Sequence, residues 1–117
     1  MPIPVEIKLH QRSRVLELEF DDGFACNLPC EYLRVHSPSA EVQGHGPGQD
    51  VLQLGKEEVN ITELEPTGNY AIKIHFDDGH NTGLFTWEYL HKLGKNYEVN
   101  WNNYLQRLRD AGHPRSE

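Results

Sequence analysis

Apolar and polar residues alternate through the first third of the chain. Every second residue between positions 3 and 9 is apolar, and the run VLELEF, which begins at Val15, repeats the alternation. A period of two residues predicts strands with one buried face. Asp21-Asp22-Gly23 then predicts a hairpin, since glycine tolerates the positive φ of tight turns. We therefore expect antiparallel strands, the first at a sheet edge because its prolines lack an amide donor.

The same order of patterns occurs twice. Residues 15–37 (VLELEFDDGFACNLPCEYLRVHS) and 71–94 (AIKIHFDDGHNTGLFTWEYLHKLG) share Phe-Asp-Asp-Gly and Glu-Tyr-Leu in matching places. Each copy predicts a strand, a hairpin, a returning strand and a short helix. In the second copy Thr86 is the expected N-cap, and Gly94 fits the left-handed position that ends a helix.

A last helix is predicted over residues 97–111, with Asn96 as its N-cap and Gly112 as its stop. One apolar stripe follows helical spacing and consists of Tyr97, Trp101, Tyr104, Leu105 and Leu108. Another strand is expected around Val59 to Leu64, broken near Pro66. The predicted fold class is α+β: two strand–hairpin–helix units form antiparallel sheets, and the C-terminal helix packs on the core. Residues 1–112 form one domain, and 113–117 fray.

Residues 37–50 contain three glycines and two prolines, which argues against a helix there. Long irregular loops in small domains are either binding surfaces or flexible connections, and both alternatives stay open. If this loop binds a partner, His36 and His45 are the polar residues to test, together with His80 of the second hairpin.

Charge and composition exclude several classes. Eighteen acidic against eleven basic residues give a net charge of −7, which argues against binding to nucleic acid. No apolar stretch is long enough to cross a membrane, and the N-terminus does not resemble a secretory signal. Two cysteines imply no disulfide framework and favour a reduced, cytoplasmic protein. We expect the protein to be a monomer.

His75, Asp78 and His80 surround the second hairpin turn and are the candidate metal ligands. Imidazole and carboxylate groups bind iron or zinc, and two histidines with one carboxylate are enough for iron. The alternative is that the acid serves turn chemistry and that the two imidazoles do not converge.

Cys26 and Cys30 provide one cysteine pair, whereas closed zinc sites use two such pairs. Cys30 lies at a predicted helix N-terminus, which would lower the pKa of its thiol. The alternative is that both are small buried apolar residues. No nucleophile, base and oxyanion hole assemble in the sequence, so no catalytic site is predicted.

The first half of the chain has a strand, Asp-Asp-Gly, a strand, Glu-Tyr-Leu-Arg and Ser-Pro-Ser. The second half has a strand, Asp-Asp-Gly-His, a strand and Trp-Glu-Tyr-Leu. This order resembles the gamma-butyrobetaine hydroxylase-like N-terminal domain. The chain is similar to the small stand-alone bacterial members, which are domains of unknown function. The stretch FDDGFACNLPCEYLRVHSPSAEVQGHGPGQ carries much of the resemblance.

In the dioxygenases of that family the domain holds a structural zinc through three cysteines and a histidine. The resemblance places the cysteine positions at Ser37, Ser39 and Val42, and the histidine at His80. A hydroxyl is a poor zinc ligand beside a thiolate, and valine cannot ligate. Three of the four ligands are therefore changed in this chain.

The resemblance also indicates with which other domains this domain occurs. The iron and 2-oxoglutarate chemistry of the family belongs to a catalytic domain outside this pattern, and related domains are fused to iron–sulfur cluster carriers. Our leading hypothesis is a non-enzymatic interaction or accessory domain with a protein partner, linked to iron–sulfur or oxygenase systems. The alternative is a protein that binds or delivers iron or zinc through His75, Asp78 and His80, with Cys26 and Cys30 as further candidate ligands.

Overall fold

The computed structural model describes residues 2–44 and 51–113. His45 and the predicted tail beyond residue 113 lie outside the described residues. Within these described residues, six strands and four helices follow one another. In order they are β1 (Pro4–His10), β2 (Val15–Phe20), β3 (Ala25–Pro29), α1 (Cys30–Val35), α2 (Ala40–Gln43), β4 (Ile61–Thr67), β5 (Ala71–Phe76), β6 (Leu84–Thr86), α3 (Trp87–Lys95) and α4 (Tyr97–Asp110).

The strands form two three-stranded antiparallel sheets, β1-β2-β3 and β4-β5-β6. Each sheet starts with a register shift at its outer strand, between Pro4 and Glu6 in the first sheet and between Ile61 and Glu63 in the second. In both sheets Asp-Asp-Gly directly follows the middle strand, and its glycine has a positive φ. The predicted α+β class with antiparallel sheets and a packed C-terminal helix is confirmed.

One core joins the two sheets. The inward residues of β2 and β5 alternate with outward charged residues and meet side chains of α1 and α3. The largest fully buried members of the core are Phe20, Tyr32, Phe85, Leu16, Leu18, Leu28, Leu33, Ile61, Ile74 and Leu90. Tyr32 also donates a hydrogen bond from its hydroxyl to the Leu93 carbonyl at 2.6 Å, which connects α1 to α3. The buried faces therefore follow the period-two pattern of the sequence.

Helix α4 covers one side of this core with the predicted stripe. Tyr104 and Leu108 are buried, and the other three members of the stripe are partly buried. Gly112 has a φ of 78° and ends the helix as expected. Asn96 precedes the helix, but its side chain makes no capping hydrogen bond.

Two strand predictions were wrong in detail. Val5 was expected to face inward, but the register shift beside it turns its side chain outward, and it is 63% exposed. Strand β4 was expected to break near Pro66, but it continues through Pro66 to Thr67. Strand β4 is an edge strand, so a missing amide donor is tolerated there.

Two helix predictions also need correction. Residues 37–50 were expected to contain no helix, yet α2 forms because the Ser39 hydroxyl accepts a hydrogen bond from the Glu41 amide at 3.2 Å. Gly94 was expected to end α3 in the left-handed region, but the helix continues to Lys95. Gly94 is required for another reason: a Cβ there would lie 2.8 Å from both Cys26 Sγ and Phe24 Cε2.

Replacement of Gly94 by alanine should therefore lower the free energy of unfolding. Alanine favours a helix by about 1 kcal/mol over glycine, so a purely local effect would stabilise the protein. We expect instead a net loss of about 1–2 kcal/mol, because the added methyl group overpacks the contact between α3 and β3. Urea denaturation of the purified variant measures the difference.

A double-mutant cycle supplies the control. Gly94→Ala should cost less in a Cys26→Ala background, because one of the two colliding atoms is gone. A stabilising Gly94→Ala, or an equal cost in both backgrounds, would contradict the steric explanation.

Candidate functional site

The Asp78 carboxylate, in the second hairpin turn, joins three parts of the chain. Its Oδ1 accepts a hydrogen bond from the His80 amide at 3.2 Å, which fixes the turn. Its Oδ2 accepts from Arg34 Nε of α1 at 2.9 Å and from Lys56 Nζ at 2.7 Å. The turn, the first helix and the segment before β4 are thus held by one side chain.

These donors determine the charge state of Asp78. Partial burial alone would raise the pKa of the carboxyl, but hydrogen bonds from Lys56, the His80 amide and Arg34 outweigh it and lower the pKa to about 2. Arg34 is itself buried, and its Nη1 donates to Gln53 Oε1 at 3.1 Å. The ion pair is therefore shielded more than an ordinary surface pair.

His80 lies beside this carboxylate in a buried polar network. Its Nε2 is hydrogen-bonded to Ser37 Oγ at 2.9 Å, and Ser37 Oγ also accepts from the Ser39 amide at 3.3 Å. Both Ser37 and His80 are buried. Burial, followed by the positive charge of Arg34, lowers the pKa of His80, so the imidazole is neutral near pH 7.

Hydroxyl groups extend the network to the surface. Thr82 and Ser39 are joined through their hydroxyls at 2.6 Å, and the Thr82 hydroxyl donates to Glu41 Oε1 at 2.5 Å. His80 Nδ1 lies 3.7 Å from the same Glu41 oxygen. The network fastens α2 and the segment before it to the second hairpin.

Serine, histidine and glutamate in this order are also the parts of a hydrolytic relay, but the geometry does not suit catalysis. A nucleophilic hydroxyl must reach substrate, whereas Ser37 is completely buried. The backbone of Gly83 packs so closely on it that a Cβ there would collide with Ser37 Oγ. The arrangement is structural.

The four positions of the family zinc site do come together in the fold. Ser37 contacts His80, and the Val42 amide donates to the Ser39 carbonyl at 2.9 Å. The donor set does not fit zinc, however, because two hydroxyls and a valine replace three thiolates. No buried side-chain nitrogen or oxygen among the described residues lacks a hydrogen-bond partner. Hydrogen bonds make the connection here that a metal ion would make.

His75, Asp78 and His80 are not brought together as a ligand group. His75 points from the outer face of β5 and contacts Glu65 Oε1 at 2.9 Å, whereas His80 points into the buried network. Within the described ranges, the only three-residue group with metal-ligand geometry is Glu63, Glu65 and His75. That group is mostly exposed, and its His75 and Glu65 are hydrogen-bonded to each other, so on its own it indicates an ordinary polar sheet face.

The surroundings of the two cysteines do not favour the thiolate form. Burial raises the pKa of each thiol to about 11, and this outweighs any effect of the α1 N-terminus on Cys30. Cys30 is fully buried in the core and Cys26 is partly buried, and both are free. The prediction of a lowered Cys30 pKa was wrong, because its helix begins inside the core.

The segment 51–56 carries no sequence signal of a site and has almost no regular structure, yet it is firmly held. The Tyr104 hydroxyl donates to the Gln53 carbonyl at 2.7 Å, and Lys56 and Gln53 contact Asp78 and Arg34. Val51 and Leu54 nevertheless point outward, 53% and 45% exposed. No local pattern marks this segment, since Tyr104, Asp78 and Arg34, which hold it, lie far away in the sequence.

We predict that Asp78→Asn lowers the free energy of unfolding by about 1–2 kcal/mol at pH 7, a value already reduced for solvent screening. The pKa of the folded carboxyl is about 2 against an ordinary 3.8, so its contribution is complete above pH 3.8 and is lost as the pH falls through about 2. The difference between wild type and variant, measured by denaturation at several pH values, should shrink below about pH 4.

Asp22→Asn provides the matched control, because Asp22 occupies the same place in the first turn and is exposed to solvent. The loss of unfolding free energy in Asp22→Asn should be smaller than the loss in Asp78→Asn. Equal losses for the two variants, or a difference that stays constant down to pH 3, would contradict the role given to Asp78.

Solved structures resemble this chain in both sequence and fold. No curated protein matches the chain. A solution NMR structure is similar at 50% identity with a TM-score of 0.85, covering 99% of this chain and 91% of the other. A second NMR structure matches at 50% identity and a TM-score of 0.83, covering 98% and 86%.

A crystal structure at 1.93 Å is also similar, that of a protein of unknown function of the DUF971 family from Acidithiobacillus ferrooxidans ATCC 23270. The identity is 44% and the TM-score 0.65, with 78% of this chain and 91% of the other covered. No helix in the described part of this chain is long and apolar enough to span a membrane. The family model "Gamma-butyrobetaine hydroxylase-like, N-terminal" matches residues 7–91, most of the chain, and the protein belongs to that family.

Proposed function

We propose that this domain is a non-enzymatic interaction module that docks a partner protein on the 51–56 segment and the adjoining second hairpin turn. The observation that carries the proposal is an irregular segment held in one conformation while Val51 and Leu54 face solvent. Segments that are already ordered lose little conformational entropy on binding, which favours their use as docking sites.

The residues around the segment indicate which side chains a partner would place against it. A shallow cleft of about 280 Å³ lies beside it, lined by Lys56 and by the acids Glu58, Asp77 and Asp78. A partner that places an apolar side chain against Leu54 and a basic side chain in the cleft would match both features. Association should therefore weaken as salt concentration rises.

Membership of this family supports one class of partner protein. Its description places such domains at the N-terminus of gamma-butyrobetaine hydroxylase-like proteins. We propose that the partner belongs to an oxygenase or iron–sulfur system, with this domain as its accessory. Family membership alone does not define an activity, so the partner must be identified by experiment.

Site-specific photo-crosslinking in cells tests the proposal. A photoreactive amino acid at Val51 or Leu54 should give a discrete crosslinked product whose partner is an oxygenase or iron–sulfur protein. Val5 is the matched control because it is as exposed and lies on the first sheet. Leu54→Asp, made together with the Val51 crosslinker, should abolish the product. Equal products from Val5, or none from either test position, would reject this surface.

A metal-binding or metal-delivery role is the second candidate, and metal content decides it. We expect protein purified without a tag and under anaerobic conditions to hold well below one equivalent of zinc or iron, because the donor set around His80 does not suit either ion. One equivalent that is lost in His80→Gln would establish the second candidate at the buried network. Loss in His75→Gln instead would place it on the outer face of β5.

A further inference from the structure

The backbone of the two Asp-Asp-Gly turns is the same. In the first turn the Gly23 amide donates to the Phe20 carbonyl at 3.0 Å, and in the second the Gly79 amide donates to the Phe76 carbonyl at 3.2 Å. The two glycines have φ values of 87° and 89°. A Cβ added at either glycine would meet no atom of the described residues within 4 Å. Turn geometry and the room around each glycine are therefore matched.

The first aspartate of each turn is matched as well. The Asp21 amide donates to the Ile3 carbonyl and the Asp77 amide to the Asn60 carbonyl, both at 2.9 Å. In return Oδ1 of each aspartate accepts from the amide of the same neighbour, at 3.0 Å for Ile3 and 3.1 Å for Asn60. A difference in chemistry between the two turns must therefore come from the second aspartate and its surroundings.

The carboxylates of the second aspartates differ in what holds them. Asp22 accepts from the Phe24 amide at 3.0 Å and is paired with His91 Nε2 at 2.9 Å, and its side chain is 38% exposed. The Asp78 side chain is 23% exposed and forms ion pairs with the two cations described above. The carboxylate in the first turn is thus the more accessible and the less firmly held of the two.

An aspartate followed by glycine can rearrange without an enzyme. The glycine amide nitrogen attacks the carboxyl carbon, the amide proton and the carboxyl hydroxyl leave as one molecule of water, and a five-membered succinimide closes. Water then opens either carbonyl, which gives aspartate again or isoaspartate, whose main chain runs through the side-chain carboxyl. Glycine favours the reaction because it has no Cβ to shield its nitrogen. The carboxylate must first leave its partners and take up a proton, so ion pairs slow the closure.

From this contrast we infer that Asp22-Gly23 is a site of spontaneous isoaspartate formation in the folded protein, and that its cation partners protect Asp78-Gly79. When Asp22 turns toward the glycine nitrogen, it gives up one imidazole and one backbone amide. The same movement of Asp78 would leave the buried guanidinium of Arg34 without its carboxylate, which is costly.

Prolonged incubation of the intact folded protein at mildly acidic pH tests the inference. Proteolysis followed by tandem mass spectrometry measures isoaspartate at each turn. We expect several-fold more at residue 22 than at residue 78. The matched control is the same incubation in urea, where both turns lose their partners and the two Phe-Asp-Asp-Gly sequences are identical. There the two sites should react at comparable rates.

Two variants assign the cause. Lys56→Gln removes one of the two cations from Asp78 and should raise isoaspartate at residue 78 without changing the amount at residue 22. Asp22→Glu should abolish the product in the first turn, because the corresponding six-membered ring closes far more slowly.

Equal amounts at the two sites of the folded protein, or no isoaspartate at residue 22, would overturn the inference. A difference that persists in urea would trace it to sequence and overturn the role given to the fold. An unchanged amount at residue 78 in Lys56→Gln would overturn protection by that cation.

Discussion

The ion pair between Asp78 and Arg34 is the polar contact that joins the first helix of this domain to its second hairpin turn. Each sheet is defined by local alternation and a tight turn, and one apolar core joins the two sheets. The ion pair fixes the hairpin turn against that core. The carboxylate contacts Arg34 at 2.9 Å, and the Lys56 ammonium adds the connecting segment at 2.7 Å. Ser37 and His80 make a second connection beside the ion pair. A shift of the hairpin would therefore break both connections.

Most of the fold follows from the sequence because its signals are local. Period-two alternation, the Asp-Asp-Gly turns and the Thr86 cap place five of the strands and helix α3, and the Glu-Tyr-Leu motif places α1. The errors arise where tertiary contacts decide. Val5 is exposed because of a register shift, which residue propensities do not encode. Glycine is needed at Gly94 because neighbouring atoms leave no room for a Cβ, and not because of its φ.

The candidate site was less predictable for the same reason. The sequence singled out His80, and the family resemblance indicated Ser37, but neither revealed that the two side chains bond to each other in a buried network. Arg34 and Asp78 are 44 positions apart, and charge pattern alone cannot pair them. The 51–56 segment has no periodicity at all, so only the folded chain shows that Leu54 is both fixed and exposed.

The two Asp-Asp-Gly turns have identical residues but contribute unequally to the stability of the fold. In each turn the second aspartate accepts a hydrogen bond from the amide two residues on, at 3.0 Å for Asp22 and 3.2 Å for Asp78. Asp22 is otherwise hydrogen-bonded to His91, whereas Asp78 forms ion pairs with two cations from separate parts of the chain. Substitutions of Asp22 should therefore be tolerated more readily than substitutions of Asp78, so the two halves would lose their likeness first at this position of the first turn.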